Sequence, residues 1–255
     1  MLIKQDSIFR RLPGDARKQT LFLDAIRYSL QMSELAYDSL RRVAQDLSNR
    51  FLMPDFKLRD EGVSMMLCAW SIIDSVNRIR CILKQVPGLK QNAPYLRIFF
   101  DKSSVVENLR NYVQHQTTGV EEYIKHDSTI WGVLGWTYKQ DPSSVKMFSF
   151  AFIPGTIFEA KEHPLVDPFG RMMQLPVGLI TLSVNEKTVC LSDILDDLKK
   201  LADELEAKLK LWFDGKSAAG SDVLAVAEFD FSEQSSGVHI VAGDKLGIEV
   251  KQNKS

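Results

Sequence analysis

Apolar positions recur at helical spacing through the first half of the chain. Leu23, Ile26, Leu30, Leu35, Leu40, Val43 and Leu47 fall about every third or fourth residue, with charges between them. They predict a helix over residues 15–50, ending ahead of Pro54. Residues 58–86 carry a broader stripe of Val63, Met66, Leu67, Trp70, Ile73, Val76, Ile79 and Leu83, stopped by Pro87-Gly88. A helix so apolar is packed on several sides, which predicts the centre of a bundle. A third helix begins near Pro94 or in the stretch 101–104. Leu96, Phe99 and Phe100 read as a short turn ahead of it, and Val105, Val106, Leu109 and Val113 as its buried face. Ser104 and Glu107 have the spacing of a capping box. Gly119 suits the left-handed C-terminal cap, which places His115 in or near the last turn.

Beyond Gly119 the helical period gives way to aromatic and β-branched runs at 129–139, 145–160 and 175–184. Asp141-Pro142, Pro154-Gly155 and Pro168-Phe169-Gly170 break them, and Asn185-Glu186 predicts a tight turn into a strand at 187–191. These runs predict an antiparallel sheet inserted into the helical fold. Ser192 is then expected to cap a helix bearing Ile194, Leu195, Leu198, Leu201, Leu205, Leu209 and Trp212 and ended by Gly215. Residues 223–231, 238–242 and 246–250 alternate like further strands. The expected class is α+β. A helical bundle spans 1–120, a β-sheet insertion 121–191, a helix returning to the bundle 192–215 and a β-rich tail 216–255.

Composition narrows the class. The chain is 45% apolar and 25% charged, the balance of an ordinary globular protein. Its longest apolar run, Leu175–Val184, is too short and too broken to span a bilayer. Its first residues lack the apolar core of a signal peptide, so a cytoplasmic, membrane-free location is expected. Cys68, Cys81 and Cys190 are odd in number and lack a metal spacing; Cys68 and Cys81 read as small buried side chains in a reducing compartment. The histidines (His115, His126, His163 and His239) are scattered, so neither a metal site nor a cofactor is expected.

Charge is divided unevenly. Residues 1–120 hold 18 basic and 12 acidic side chains, a net of +6, whereas 121–255 hold 14 and 21, a net of −7. Twelve of the thirteen arginines lie in the first part. Arginine suits bidentate phosphate contact, so one expectation is an anion-binding helical half. The other is that the two halves attract each other, or that the arginines decorate solvated helix faces.

The third helix ends in Arg110-Asn111-Tyr112-Val113-Gln114-His115. A polar residue directly after the arginine, and a place near the end of a capped helix, set this string apart from a chance Arg/His pair. The string resembles that of the HEPN domains (higher eukaryotes and prokaryotes nucleotide-binding), small helical bundles with an arginine, a polar residue, three variable residues and a histidine on a late helix. The stretch Val105-Val106-Glu107-Asn108-Leu109 is similar as well. The resemblance covers 15–119 and the helix near 193–213; the strands lie outside the family's minimal fold. It implies a metal-independent RNase, often a toxin or antiviral effector with a cognate antitoxin or regulator. Some members are non-catalytic modules that bind nucleotide, RNA or a protein.

The residue types fit that chemistry in their own right. Histidine titrates near neutrality, so His115 can move the 2′-hydroxyl proton of RNA. The guanidinium of Arg110 suits the charge that builds on the attacked phosphate. Asn111 can position a phosphate oxygen or the histidine. On a regular helix, five residues turn about 500°, leaving Arg110 and His115 about 140° apart. Either the helix distorts or a second copy completes the site; the resemblance implies a homodimer with a shared cleft.

Plainer roles are also open. Arg110 can pair with Glu107, and His115 can bond carbonyls of its own helix end. Asp74 and Arg78, four apart on the second helix, are an ion pair or line the cleft and orient His115. Trp131, Trp136, Phe148, Phe150 and Phe152 stack bases or, more simply, form core. A third class of function remains, an interaction protein that works through its acidic sheet and last helix.

Overall fold

A computed structural model describes residues 1–14, 16–51, 53–58, 60–114, 129–139, 147–155, 178–184, 187–213, 222–230, 235–242 and 245–249. Residues 113 and 114 and the strands beyond 222 are described by their backbone alone. The expected C-cap at Gly119, the turn at Asn185-Glu186 and the boundaries near 120 and 215 lie outside these residues.

The helical periods fold as α1 (Arg17–Arg50), α2 (Glu61–Leu83), α3 (Pro94–Lys102) and α4 (Ser104–Gln114). Helices α1 and α2 form the broadest helix contact. Helix α1 buries Leu23, Ile26, Leu30, Leu40 and Leu47; Met65, Ile72, Ile73, Val76, Ile79 and Leu83 of α2 fill the same core. Serines on the buried side of α1 satisfy themselves. Ser29, Ser33 and Ser48 donate to the carbonyls of Ala25, Ser29 and Ala44 at 2.8, 2.9 and 2.8 Å. Three residues of the expected apolar stripes, Leu35, Val63 and Leu67, lie instead on exposed faces.

The third predicted helix is two. A break at Ser103 separates α3 from α4, and the expected turn at Leu96–Phe100 is a full helix with Pro94 in its first turn. The capping box does not form. Ser104 Oγ donates to the Asp101 carbonyl at 2.7 Å, and Glu107 is drawn to Arg80.

Four strands follow: β1 (Val133–Tyr138), β2 (Phe148–Phe152), β3 (Ile180–Val184) and β4 (Lys187–Cys190). They make one antiparallel sheet in the order β2-β1-β3-β4. Gly132 enters β1 at φ +82°, and a Cβ there would strike the Ser183 carbonyl oxygen on β3. Of the five aromatic side chains, Trp136, Phe150 and Phe152 pack with the core, whereas Trp131 is exposed. Trp136 is buried, stacks on Phe150 at 5.2 Å and donates through Nε1 to Ser48 Oγ at 2.9 Å. Phe152 lies over Gly62, where α2 has no room for a side chain.

Strand β4 leads directly into α5 (Leu191–Trp212), which returns to pack on α1 and α3. Its N-cap is Cys190, not Ser192. The Ser192 hydroxyl accepts instead from Tyr37 Oη at 2.7 Å and the Ile180 amide at 3.0 Å, joining helix, sheet and bundle. The tail forms β5 (Val223–Asp230), β6 (Ser235–Ala242) and β7 (Lys245–Glu249), an antiparallel meander. The architecture is therefore α+β. No helix among the described residues is long and apolar enough to cross a membrane. Cys68 and Cys190 are half-buried, and burial raises both thiols; Cys81, expected inside, is exposed because it faces away from the packed side of α2.

Candidate functional site

Helix α4 buries Val106 and Leu109, and Tyr112 packs against the same core. That phase leaves Arg110 half-buried at the edge of the helix and Asn111 exposed. Arg110 keeps 35% of its side chain exposed and donates through Nε to Asp74 Oδ1 on α2 at 3.3 Å. Asp74 is 60% exposed. The structure thus brings together two of the five residues singled out in sequence, Arg110 and Asp74, across the α2–α4 contact. It does not form the Asp74–Arg78 pair. Arg78, one turn further along α2, is exposed and bonds to no described residue. His115 lies outside the described residues.

The carboxylate that spacing offers to Arg110, that of Glu107, belongs to Arg80 instead. Arg80 is buried on α2, with 6% of its side chain exposed. Its Nη1 donates to the Phe100 carbonyl and to Ser103 Oγ, both at 2.6 Å, and its Nη2 to Glu107 Oε2 at 2.8 Å. The guanidinium also lies 5.5 Å from the Phe100 ring centroid. One side chain therefore holds the end of α3, the break and the first turn of α4. Hydrogen bonding from Arg80, with its charge and that of Lys84, holds the Glu107 carboxyl below its usual range. The Nε of Arg80 is buried without a hydrogen-bond partner.

Arg80 escaped sequence reasoning although a signal was present. It shares the phase of Ile73, Val76 and Leu83, the buried stripe of α2, whereas Arg78 is out of phase. A charged residue in register with a core stripe needs a buried partner, and Glu107 with Ser103 supplies it.

Among the described residues of the arginine-rich half, Arg27, Arg50, Arg80 and Arg110 pair with carboxylates. Arg50 bonds Asp46 at 2.8 Å and Glu61 at 2.5 Å, and Arg27 bonds Asp24 and Asp222. The Arg27–Asp222 pair, and Lys102–Asp197 at 2.8 Å, join the basic half to the acidic one. Attraction between the halves therefore accounts for part of the asymmetry. Among the described residues no group of three His, Cys, Asp or Glu side chains is placed to hold a metal ion.

At the α2–α4 edge stands a permanent cation, partly exposed, with Asp74 among its partners and directly ahead of Asn111 in the chain. Such a group can hold a phosphate and offset charge that develops on it. No protein-family model, no curated protein and no solved structure matches the chain.

Proposed function

We propose that this chain is a HEPN-like, metal-independent endoribonuclease of the toxin or antiviral-defence type, acting in the cytoplasm. Arg110 stabilises the phosphate as charge builds on it, and His115 transfers the 2′-hydroxyl proton as general acid and base. Asn111 and Asp74 orient these groups, and Arg78 contacts the RNA backbone. Two protomers complete the site across a shared cleft, because residues five apart diverge by about 140° on a helix. A cognate antitoxin or regulator would restrain such an activity.

One observation carries the reading. Arg110, the first residue of the Arg-Asn-x-x-x-His string, is held at the surface by Asp74 instead of being consumed in the core as Arg80 is. The test is incubation of the purified protein with total and transfer RNA in EDTA, beside His115→Ala and Arg110→Ala. Cleavage by the wild type and its loss in both variants is expected. No cleavage by the wild type, or unchanged cleavage in both variants, removes the nuclease. Sedimentation showing only monomer at micromolar concentration would contradict the shared site.

The Asp74–Arg110 contact also favours a second reading. A non-catalytic HEPN-like module that binds nucleotide, RNA or a protein would keep the same pair as a clamp between α2 and α4. RNA binding without cleavage, in the same EDTA experiment, is its signature.

A further inference from the structure

Arg27 lies in α1 with 5% of its side chain exposed, far along the chain from the carboxylate it holds. Its Nη1 and Nη2 donate to Asp222 Oδ2 and Oδ1 at 3.1 and 2.6 Å, a two-pronged contact. The Tyr28 hydroxyl donates to the same Oδ1 at 2.8 Å. The other edge of the guanidinium is fixed by Asp24, which accepts from Nε at 2.9 Å and lies 2.8 Å from Nη2. Asp222 is 57% exposed and directly precedes β5, the first strand of the tail sheet.

The two sides of this contact are unequal. The guanidinium is built into the bundle, packed 4.3 Å from the ring centroid of the exposed Tyr28. The acceptor reaches in from the surface. Asp24 already balances the Arg27 charge, so Asp222 brings a second negative charge that neutrality does not require. The positive charge of Arg10 also acts on Asp222. Three donors aimed at two oxygens make a receptor for an oxyanion.

We propose that Arg27 and Tyr28 form a phosphate-binding site that Asp222 fills from within, so that a phosphate group can take the place of the carboxylate and release the tail sheet from α1. This site is independent of the reading given to α4. Hydrogen bonds from Arg27 and then Tyr28 hold the Asp222 carboxyl down to about 2, so it stays ionised through the ordinary pH range. Competition by another anion, not protonation, is therefore what opens the latch.

The test compares the wild type with Asp222→Ala and with Asp222→Ala/Tyr28→Phe, both mild at an exposed contact. Each is titrated calorimetrically with inorganic phosphate and, separately, with a short oligouridylate. Removing the internal competitor is expected to tighten phosphate binding by ~10-fold or more, because the site is no longer occupied. The added Tyr28→Phe change weakens it again through the lost hydroxyl. A response to inorganic phosphate alone assigns a free phosphate group, and a response to the oligouridylate alone assigns a nucleic-acid backbone. Hydrogen exchange of the first β5 amides is expected to quicken in Asp222→Ala. The proposal is overturned by Asp222→Ala binding neither anion more tightly than the wild type. Binding that ignores Tyr28→Phe, or unchanged β5 exchange, overturns it equally.

Discussion

Arg80 and Arg110 both tie α2 to α4, from opposite sides of the contact. Arg80 reaches from α2 to Glu107 on α4, and Arg110 reaches from α4 to Asp74 on α2. The first is 6% exposed and fixed by three acceptors within 2.8 Å; the second is 35% exposed and meets its carboxylate at 3.3 Å. Both are arginines that meet a carboxylate on the facing helix, yet burial gives them different work. Removal of the buried cation strands a carbonyl, a hydroxyl and a carboxylate at a helix break. Removal of the surface cation returns Asp74 to water. Arginine counts along a sequence cannot draw this distinction; phase against the core stripe can.

The contrast is sharpest in stability. Arg80→Met is expected to lower the unfolding free energy by about 3 kcal/mol in urea denaturation, since it leaves buried acceptors unpaired. A loss below about 1 kcal/mol would mean that water replaces the guanidinium readily, and the contrast with Arg110 would collapse.

A smaller effect follows from Glu107. Its folded pKa is lowered by Arg80, so the stabilisation is present above the unfolded value of about 4.3. It is lost as pH falls through the lowered folded value. Glu107→Gln should therefore flatten the acid limb of the stability–pH curve, and so should Arg80→Met. An acid limb identical in wild type and Glu107→Gln would show that Arg80 does not hold this carboxylate in solution.

Arg110→Ala should move stability by no more than about 0.5 kcal/mol, as exposed ion pairs do. Asp74→Asn should do less still to stability, while reducing RNA cleavage by about tenfold through looser placement of Arg110. Unchanged cleavage in Asp74→Asn would remove Asp74 from the site.

Much of the fold was legible in the sequence because each long element had a clean period. Leu23 to Leu47 and Met66 to Leu83 marked α1 and α2, and the β-branched and aromatic runs marked the four-stranded sheet and the tail strands. The failures fell where tertiary partners outbid local ones. Ser104 and Glu107 have the spacing of a capping box, but Arg80 takes Glu107. Ser192 sits where a cap belongs, but Tyr37 and Ile180 take its hydroxyl. The two starts offered for the third helix, near Pro94 and in 101–104, are both real, as the starts of α3 and α4; the apolar pattern alone does not separate them, because Phe99 and Val106 are both buried. Of the candidate site, Arg110 and Asp74 were found from spacing and meet in the structure. Asp74 and Arg78 stand out in the sequence as an i, i+4 pair, whereas Arg80, in phase with the buried stripe of α2, has its carboxylate partner far along the chain at Glu107.

The most direct test of the central claim measures stability and RNA cleavage on one preparation of Arg110→Ala, in EDTA, beside the wild type. A cleavage loss of about 100-fold or more with nearly native stability is predicted, since a charge aimed at the transition state contributes little to folding. Wild-type cleavage that survives in Arg110→Ala, or a wild type with no cleavage at all, would contradict it.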